Sequence, residues 1–239
     1  MTSKTRWGIL GTGWIATMFA QDLRQSGRTM SAVGSRSQAQ ADRFAAEFGI
    51  AHAHASYEAL VADPDVDIIY VATPHPLHFA NARMALSAGK HVLMEKPFTL
   101  NAREAEEIVA FAEARGLVIL EAMWTRFLPA AQALRDRVAA RGVGEVRLVS
   151  GSFGTSQAVD GTGGMFNPVL GGGAVAHLGA YPLSWGQWLF GTPTLVQALG
   201  TVGATGVDED AAGQRRVPGG VIGSFFVSLR AWAPDDFNV

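Results

Sequence analysis

The stretch "GKHVLMEKPFTL", Gly89 to Leu100, drives an apolar strand into Glu95, Lys96 and Pro97. A lysine in a closed, partly desolvated site has a lowered pKa and can stabilise a developing alkoxide. A second pair lies in "GGGAVAHLGAYP", where His177 and Tyr181 are four residues apart. Helical spacing puts them on one face, one turn from each other. An imidazole there can bond a hydroxyl or relay a proton near neutral pH. A third group is the G-x-G-x-x-A turn of "GILGTGWIA": Gly11, Gly13 and Ala16, with Thr12, Trp14 and Ile15 between and beside them. It follows a strand and opens a helix, the setting in which such a turn binds a dinucleotide. Gly11 permits the tight turn, Gly13 lets the backbone approach a pyrophosphate, and Ala16 lets helix and strand pack closely. The helix N-terminus adds free N–H groups and a positive dipole end.

The ribose reader belongs at the end of the second strand, where an NAD-binding chain usually places Asp or Glu. Here that stretch is "VGSRSQ", with Ser35, Arg36 and Ser37 and no carboxylate. A guanidinium between two hydroxyls suits a 2′-phosphate. The expected cofactor is therefore NADP(H), with NAD(H) second.

These groups need elements to position them. Strand signals at Arg6–Leu10, Met30–Gly34, Ile50–Ala55, Asp67–Ala72, His91–Met94 and Leu117–Leu120 alternate with helical stretches. Ser37 and Asn101 are candidate N-caps and Gly49 a helix stop. Alternation of this kind implies right-handed βαβ crossovers and a parallel sheet. After Trp124 the pattern changes. A helix from about Pro129 precedes the ten-residue strand "EVRLVSGSFG" and a glycine-rich loop, then a helix over about Ala174–Phe190. Strand-like runs follow at Leu195–Val202, near Gly213–Val217 and at Val221–Trp232. Long strands joined by turns suggest an open, mostly antiparallel sheet. The expected division is a Rossmann domain over residues 1–124 and an α+β substrate-binding and dimerisation domain over 125–239.

Composition narrows the function classes. A chain of 239 residues, 48% hydrophobic, can bury a sizeable core. The net charge of −2 gives no reason to expect nucleic acid or an acidic membrane as a partner. There are no cysteines, which excludes disulfides and thiolate metal sites. The six histidines show no HxxxH pair and no His/Asp/Glu cluster at metal spacing, so no metal is expected. No apolar run reaches the ~18 residues of a membrane span, and the N-terminus lacks a signal-peptide pattern, so the expected location is the cytoplasm.

With these residues in view, the chain resembles the glucose–fructose oxidoreductase / inositol dehydrogenase / rhizopine-catabolism (Gfo/Idh/MocA) oxidoreductases. The resemblance rests on the glycine turn, "VATPHPLHFANARMALSAGKHVLMEKP", "EAMWTRFLPA" and "NPVLGGGAVAHLGAYPLSW". It is nearest the NADP-linked dihydrodiol and xylose-type dehydrogenases. It implies a Rossmann domain followed by a mixed α/β domain with a large open sheet, and a Lys-Pro bond that is typically cis. It implies that Lys96 binds the substrate oxygen and assists proton transfer, and that Glu95 orients Lys96 or contacts the nicotinamide ribose. It places Thr73, Pro74 and His75 against the cofactor with His78 at the start of the next helix, and Trp124 and Arg126 toward nicotinamide and substrate. Read alone, either histidine is more often an ordinary cap or surface residue, and an equally simple reading makes Trp124 interdomain packing.

Tyr181 matches the family's general acid/base position. His177 stands where the family usually has Asp, and cannot be a permanent anion beside a lysine. Relatives usually run well past 300 residues, with further strands after the point where this chain stops. The resulting expectation is an NADP-dependent oxidoreductase acting on a secondary alcohol, hemiacetal or carbonyl of a sugar, polyol or dihydrodiol-like molecule. The alternative is a non-catalytic nucleotide-sensing module. Homodimerisation through the second sheet is expected, because Val221–Trp232 offers alternating apolar residues, with Phe225, Val227 and Leu229 on one side.

Overall fold

The computed structural model describes residues 5–217 and 219–239, and the chain divides into two compact units, Met1–Ala122 and Met123–Val239. The first unit is a six-stranded sheet in the order β3-β2-β1-β4-β5-β6. Its strands are β1 (Arg6–Leu10), β2 (Thr29–Gly34), β3 (His52–His54), β4 (Ile68–Val71), β5 (His91–Met94) and β6 (Ile119–Glu121). All the pairs are parallel. This is the doubly wound dinucleotide-binding order, with ligands expected beyond the carboxyl ends of the strands.

Helices α1 (Trp14–Gln25) and α2 (Gln38–Phe48) pack on one face, and α3 (Tyr57–Val61), α4 (His78–Ser87) and α5 (Ala102–Glu113) on the other. The strand period of two decides which residue goes where. Ile9, Val33 and Tyr70 join Ala16, Ala20, Phe44 and Phe48; Leu10, Ala32, Ile69 and Val71 join Leu60, Leu86 and Ile108. Each such fully buried large side chain contributes about 1.5–3 kcal/mol of transfer free energy. Asn101 caps α5, accepting the Glu104 amide at 3.0 Å, and Gly49 ends α2 in the left-handed region at φ 69°. Ser37 occupies the N-cap position of α2 but makes no side-chain cap bond; its amide instead donates to Ser35 Oγ at 3.3 Å.

The second unit begins with α6 (Pro129–Ala139) and contains a five-stranded sheet in the order β11-β7-β10-β9-β8. The strands are β7 (Leu148–Gly154), β8 (Leu195–Val202), β9 (Asp208–Arg216), β10 (Ile222–Ser228) and β11 (Ala233–Asn238). Three pairings are antiparallel, while β7 and β10 at the centre run parallel. The helix expected over 174–190 is a π turn, Val175–Gly179, leading into α7 (Ala180–Phe190). One side of this sheet carries the π turn and α7.

That cover corrects the expected docking face. Phe225, Val227 and Leu229 are buried, Val227 and Leu229 in one cluster with Phe166, Leu178 and Ala211. The open face is instead the alternate set, on which Leu148, Leu199 and Phe226 are exposed. No described helix is long and apolar enough to cross a membrane.

Candidate active site

In the first unit the β1–α1 turn, the end of β2 and the β4–α4 loop enclose a cavity of about 480 Å³. Of the residues expected at the cofactor, Gly11, Thr12, Gly13, Ser35, Arg36, Thr73 and Pro74 line it. Gly11 has φ 109°, and a Cβ there would meet the Ala72 carbonyl oxygen at 2.8 Å, so only glycine makes this turn. A Cβ on Gly13 would meet nothing within 4 Å: it would project into open space above the helix N-terminus, where a phosphate needs room. The fit to a dinucleotide is therefore physical as well as sequential.

Several lining residues carried no sequence signal of their own, among them Gln40, Arg43, Glu47 and Tyr57. Gln40 Oε1 accepts from Ser35 Oγ at 3.3 Å and from Thr12 Oγ1 at 3.5 Å, tying the glycine turn to the ribose end. Arg43 adds a second guanidinium beside Arg36 in the lining. Arg36, Gln40, Arg43 and Glu47 recur at helical spacing, so continuing the period from Arg36 along α2 would have found them. Glu47 is a carboxylate, but it sits in the last turn of α2 rather than at the end of β2.

Glu95 and Lys96 follow β5 at the carboxyl edge of the sheet, and the Lys96–Pro97 bond is cis. The buried Tyr70 hydroxyl donates to Glu95 Oε1, and Glu95 Oε2 accepts the Lys96 amide at 3.1 Å. Burial pushes the Glu95 carboxyl up, opposed by those hydrogen bonds and by Lys96. Burial likewise pushes the Lys96 ammonium below its ordinary value, while Glu95 and Glu121 pull it back up. Glu121 Oε1 also accepts the Phe98 amide at 3.0 Å, holding the chain just past Pro97. A half-buried lysine beside two carboxylates can present a cation to a developing alkoxide.

His78 is fully buried. Its Nδ1 faces the Pro97 carbonyl and its Nε2 the Thr73 carbonyl, each at 2.9 Å, so the ring joins two loops of the site instead of lining the cavity. Burial depresses its pKa, against the pull of those carbonyls. Asn81 Nδ2 fixes Thr73 by donating to its hydroxyl at 3.0 Å. His75 begins the short 3₁₀ turn before α4, its ring 5.5 Å from that of His78. Trp14 is exposed at the start of α1, and neither it nor Ile15 or Ser37 lines the cavity.

In the second unit, Tyr181 lines a cavity of about 400 Å³ together with Trp124, Phe153, Trp185, Asp235 and Phe237. The Phe153 and Tyr181 rings are 5.4 Å apart, and Trp185 stacks on Phe237 at 5.5 Å. Arg126 is anchored elsewhere in this unit, with Nε donating to Ser184 Oγ at 2.8 Å. His177 lies in the π turn one turn before Tyr181. The aromatic wall escaped the sequence reading because Phe237 belongs to β11, whose polar "APDDFN" has no strand-like alternation. Pairing with β7 makes it a strand.

Residues 5–123 match the family model of the NAD-binding Rossmann fold of the Gfo/Idh/MocA oxidoreductases, and residues 131–239 match a model of the family's C-terminal domain. The chain belongs to the Gfo/Idh/MocA oxidoreductase family. Among its relatives, trans-1,2-dihydrobenzene-1,2-diol dehydrogenase of Sus scrofa is 40% identical over 239 residues, covering 98% of this chain and 71% of that enzyme. The D-xylose 1-dehydrogenase (NADP+) of Hypocrea jecorina is 38% identical, covering 87% of this chain and 60% of that protein. A crystal structure of a 3-ketoreductase from Actinomadura kijaniata with NADP and TDP-benzene superposes with a TM-score of 0.87 at 28% identity, covering 98% of this chain and 73% of that one. That ketoreductase has also been solved with a tyrosine replaced by phenylalanine and with a lysine replaced by alanine. Family membership makes this chain an NAD(P)-linked oxidoreductase, and the cavity beyond β1, β2 and β4 is the candidate nucleotide cradle.

The sequence reading also missed a group outside this site. His52 and His54 converge on Asp63, so a His/His/Asp cluster exists where spacing along the chain showed none.

Proposed function

We propose that this enzyme uses NADP(H) in preference to NAD(H), and that its substrate is a secondary alcohol, hemiacetal or matching carbonyl of a sugar, polyol or dihydrodiol-like small molecule. The observation that carries the cofactor choice is the rim of the cradle: Arg36 and Arg43 line it, and no carboxylate ends β2. Two guanidiniums suit a 2′-phosphate, whereas a 2′-hydroxyl wants an acceptor. The NADP named with the xylose dehydrogenase and the ketoreductase supports the same choice.

When bound, the nicotinamide supplies the hydride chemistry. The chain's own part is to hold the substrate oxygen and move its proton. Lys96 holds that oxygen, with Glu95 kept in place by Tyr70. Tyr181 carries the proton, and His177 supports it in place of the usual carboxylate. A lysine and a tyrosine are also the side chains altered in the related ketoreductase. Residues 1–124 bind the nucleotide and residues 125–239 the substrate. The open sheet face, with Leu199 84% and Phe226 50% exposed, is the surface for a second copy of the chain, and the enzyme works in the cytoplasm.

The test is an absorbance screen of NADP+ and NAD+ reduction against panels of aldoses, polyols and dihydrodiols. NADP-linked turnover on one panel is the expected result. Tight cofactor binding with no turnover on any panel, in either direction, would instead favour a nucleotide-sensing module.

A further inference from the structure

We propose that His52, His54 and Asp63 form a binding site for one divalent transition-metal ion of the zinc class, separate from the nucleotide cradle. His52 and His54 lie on β3, the edge strand of the first sheet, and the strand period puts both on one side while Ala53 packs into the core. Asp63 arrives from the loop after α3 and is buried. Its Oδ2 faces His52 Nδ1 at 2.7 Å and His54 Nε2 at 2.8 Å, and the three ligand atoms lie within 4.8 Å of one another.

The carboxylate is held as a metal ligand should be. Its second oxygen, Oδ1, accepts the Asp65 amide at 2.8 Å. Its backbone carbonyl takes the Lys90 ammonium at 2.8 Å, which also donates to the Val66 carbonyl. An outer shell of this kind orients a ligand and sharpens affinity.

The donor set of two imidazole nitrogens and one carboxylate suits Zn²⁺, Co²⁺ or Ni²⁺, and not Mg²⁺ or Ca²⁺, which call for more oxygens. Ligand atoms around a tetrahedral zinc stand about 3.3 Å apart, given bonds of about 2.0–2.2 Å. The two rings would need to withdraw from Oδ2 by roughly half an ångström to reach that spacing. They have room, since the His52 side chain is 41% exposed and the His54 side chain 24%. The same exposure leaves an outward position for water. An ion here would staple the edge strand to the α3–β4 loop. The His54 carbonyl accepts the amide of Ser35 at 3.1 Å, so the staple lies one residue from the cradle lining.

The three side chains could instead act only as a hydrogen-bonded tether, and the test separates the two. Tag-free protein stripped with EDTA is titrated with Zn²⁺ by calorimetry and with Co²⁺ by visible absorption. Expected are one equivalent of saturable binding and displacement of Co²⁺ by Zn²⁺. His52→Ala and His54→Ala should each lower the affinity at least about tenfold. Zinc should raise the thermal midpoint of the unmodified protein and leave that of the double variant unmoved. His52, the most exposed of the three, provides the informative variant should Asp63→Asn fail to fold. No saturable binding overturns the proposal, as does equal binding by the His52/His54 double variant. A melting curve indifferent to zinc but lowered by the same substitutions assigns the group to the tether and overturns it too.

Discussion

In the first unit, Gly8, Ile9 and Leu10 of β1 and Ile69, Tyr70 and Val71 of β4 are all buried. In the second, β8 is exposed along its whole length. The first sheet has helices on both faces, so its central strands read as continuous apolar runs and its core is complete within the unit. The second has cover on one side, so β7, β9 and β10 largely alternate and the other side still carries Leu148, Leu199 and Phe226 in the open. Cofactor recognition lies in a unit that determines its own geometry, whereas the second unit presents surfaces whose use depends on what meets them.

The sharpest way to break this division is to remove charge from the self-contained unit. Lys96→Met should lower kcat by about 10²–10³, the usual cost of one electrostatic stabiliser in a closed site. The NADPH dissociation constant should change by less than about tenfold if, as proposed, Lys96 acts on the reacting oxygen. Tyr181→Phe, in the other unit, should be similarly damaging, and the double variant should fall well short of the product of the two. His177→Asp should hold or raise turnover if the histidine stands in passively for the carboxylate, and lower it if the ring relays the proton. If Lys96→Met and Tyr181→Phe both leave turnover intact, the assignment of chemistry to Glu95-Lys96-Pro97 fails.

Next in size is the cradle. NADP(H) should bind at least about tenfold tighter than NAD(H), and Arg36→Ala should remove most of that preference while Arg43→Ala removes part, because Arg36 follows the end of β2, where the ribose is read, and Arg43 lies two turns along α2. Fluorescence titration of both cofactors measures it. Equal affinities in the unmodified enzyme would sink the claim.

A smaller effect should appear in stability against pH. The His78 pKa is lowered in the folded state by burial. Below about 6.5 the unfolded chain takes up a proton that folded His78 refuses, so stability should fall as pH drops from there toward the folded value. Asp63 works in a different window. Its folded pKa of about 2 lies below the ordinary carboxylate value of 3.8, so its contribution is present above the latter and lost only as pH falls from 3.8 to about 2. Denaturant midpoints at pH 7.5 and 5 should therefore differ, and His78→Gln should shrink the difference. A slope unchanged by that substitution assigns the pH dependence elsewhere.

The smallest change tests the open face. Leu199→Glu and Phe226→Ser should leave the melting temperature within about a degree or two, since exposed positions carry little folding energy. In sedimentation they should shift the protein toward monomer. A monodisperse monomer before any substitution would remove the second unit's open face from the account.

The parallel sheet was legible because its signals are local. The glycine turn, the Asn101 cap, the Gly49 stop and the period-2 placement of Ile9 against Leu10 each follow from residues close in sequence. The position of Glu95, Lys96 and Pro97 just past β5 was legible for the same reason, since the apolar run of that strand ends there. Tertiary structure decided what depends on distant partners. "APDDFN" becomes β11 only by pairing with β7, and Phe225, Val227 and Leu229 face the core only because helical cover lies on that side. His78 is sequestered because two loops bring their carbonyls to its ring. His52 and His54 meet Asp63 only because the chain turns back through α3. Local sequence determines the period and the punctuation of the chain. Which face is covered and which side chains converge is determined by contacts between segments far apart in sequence, and no local pattern encodes them.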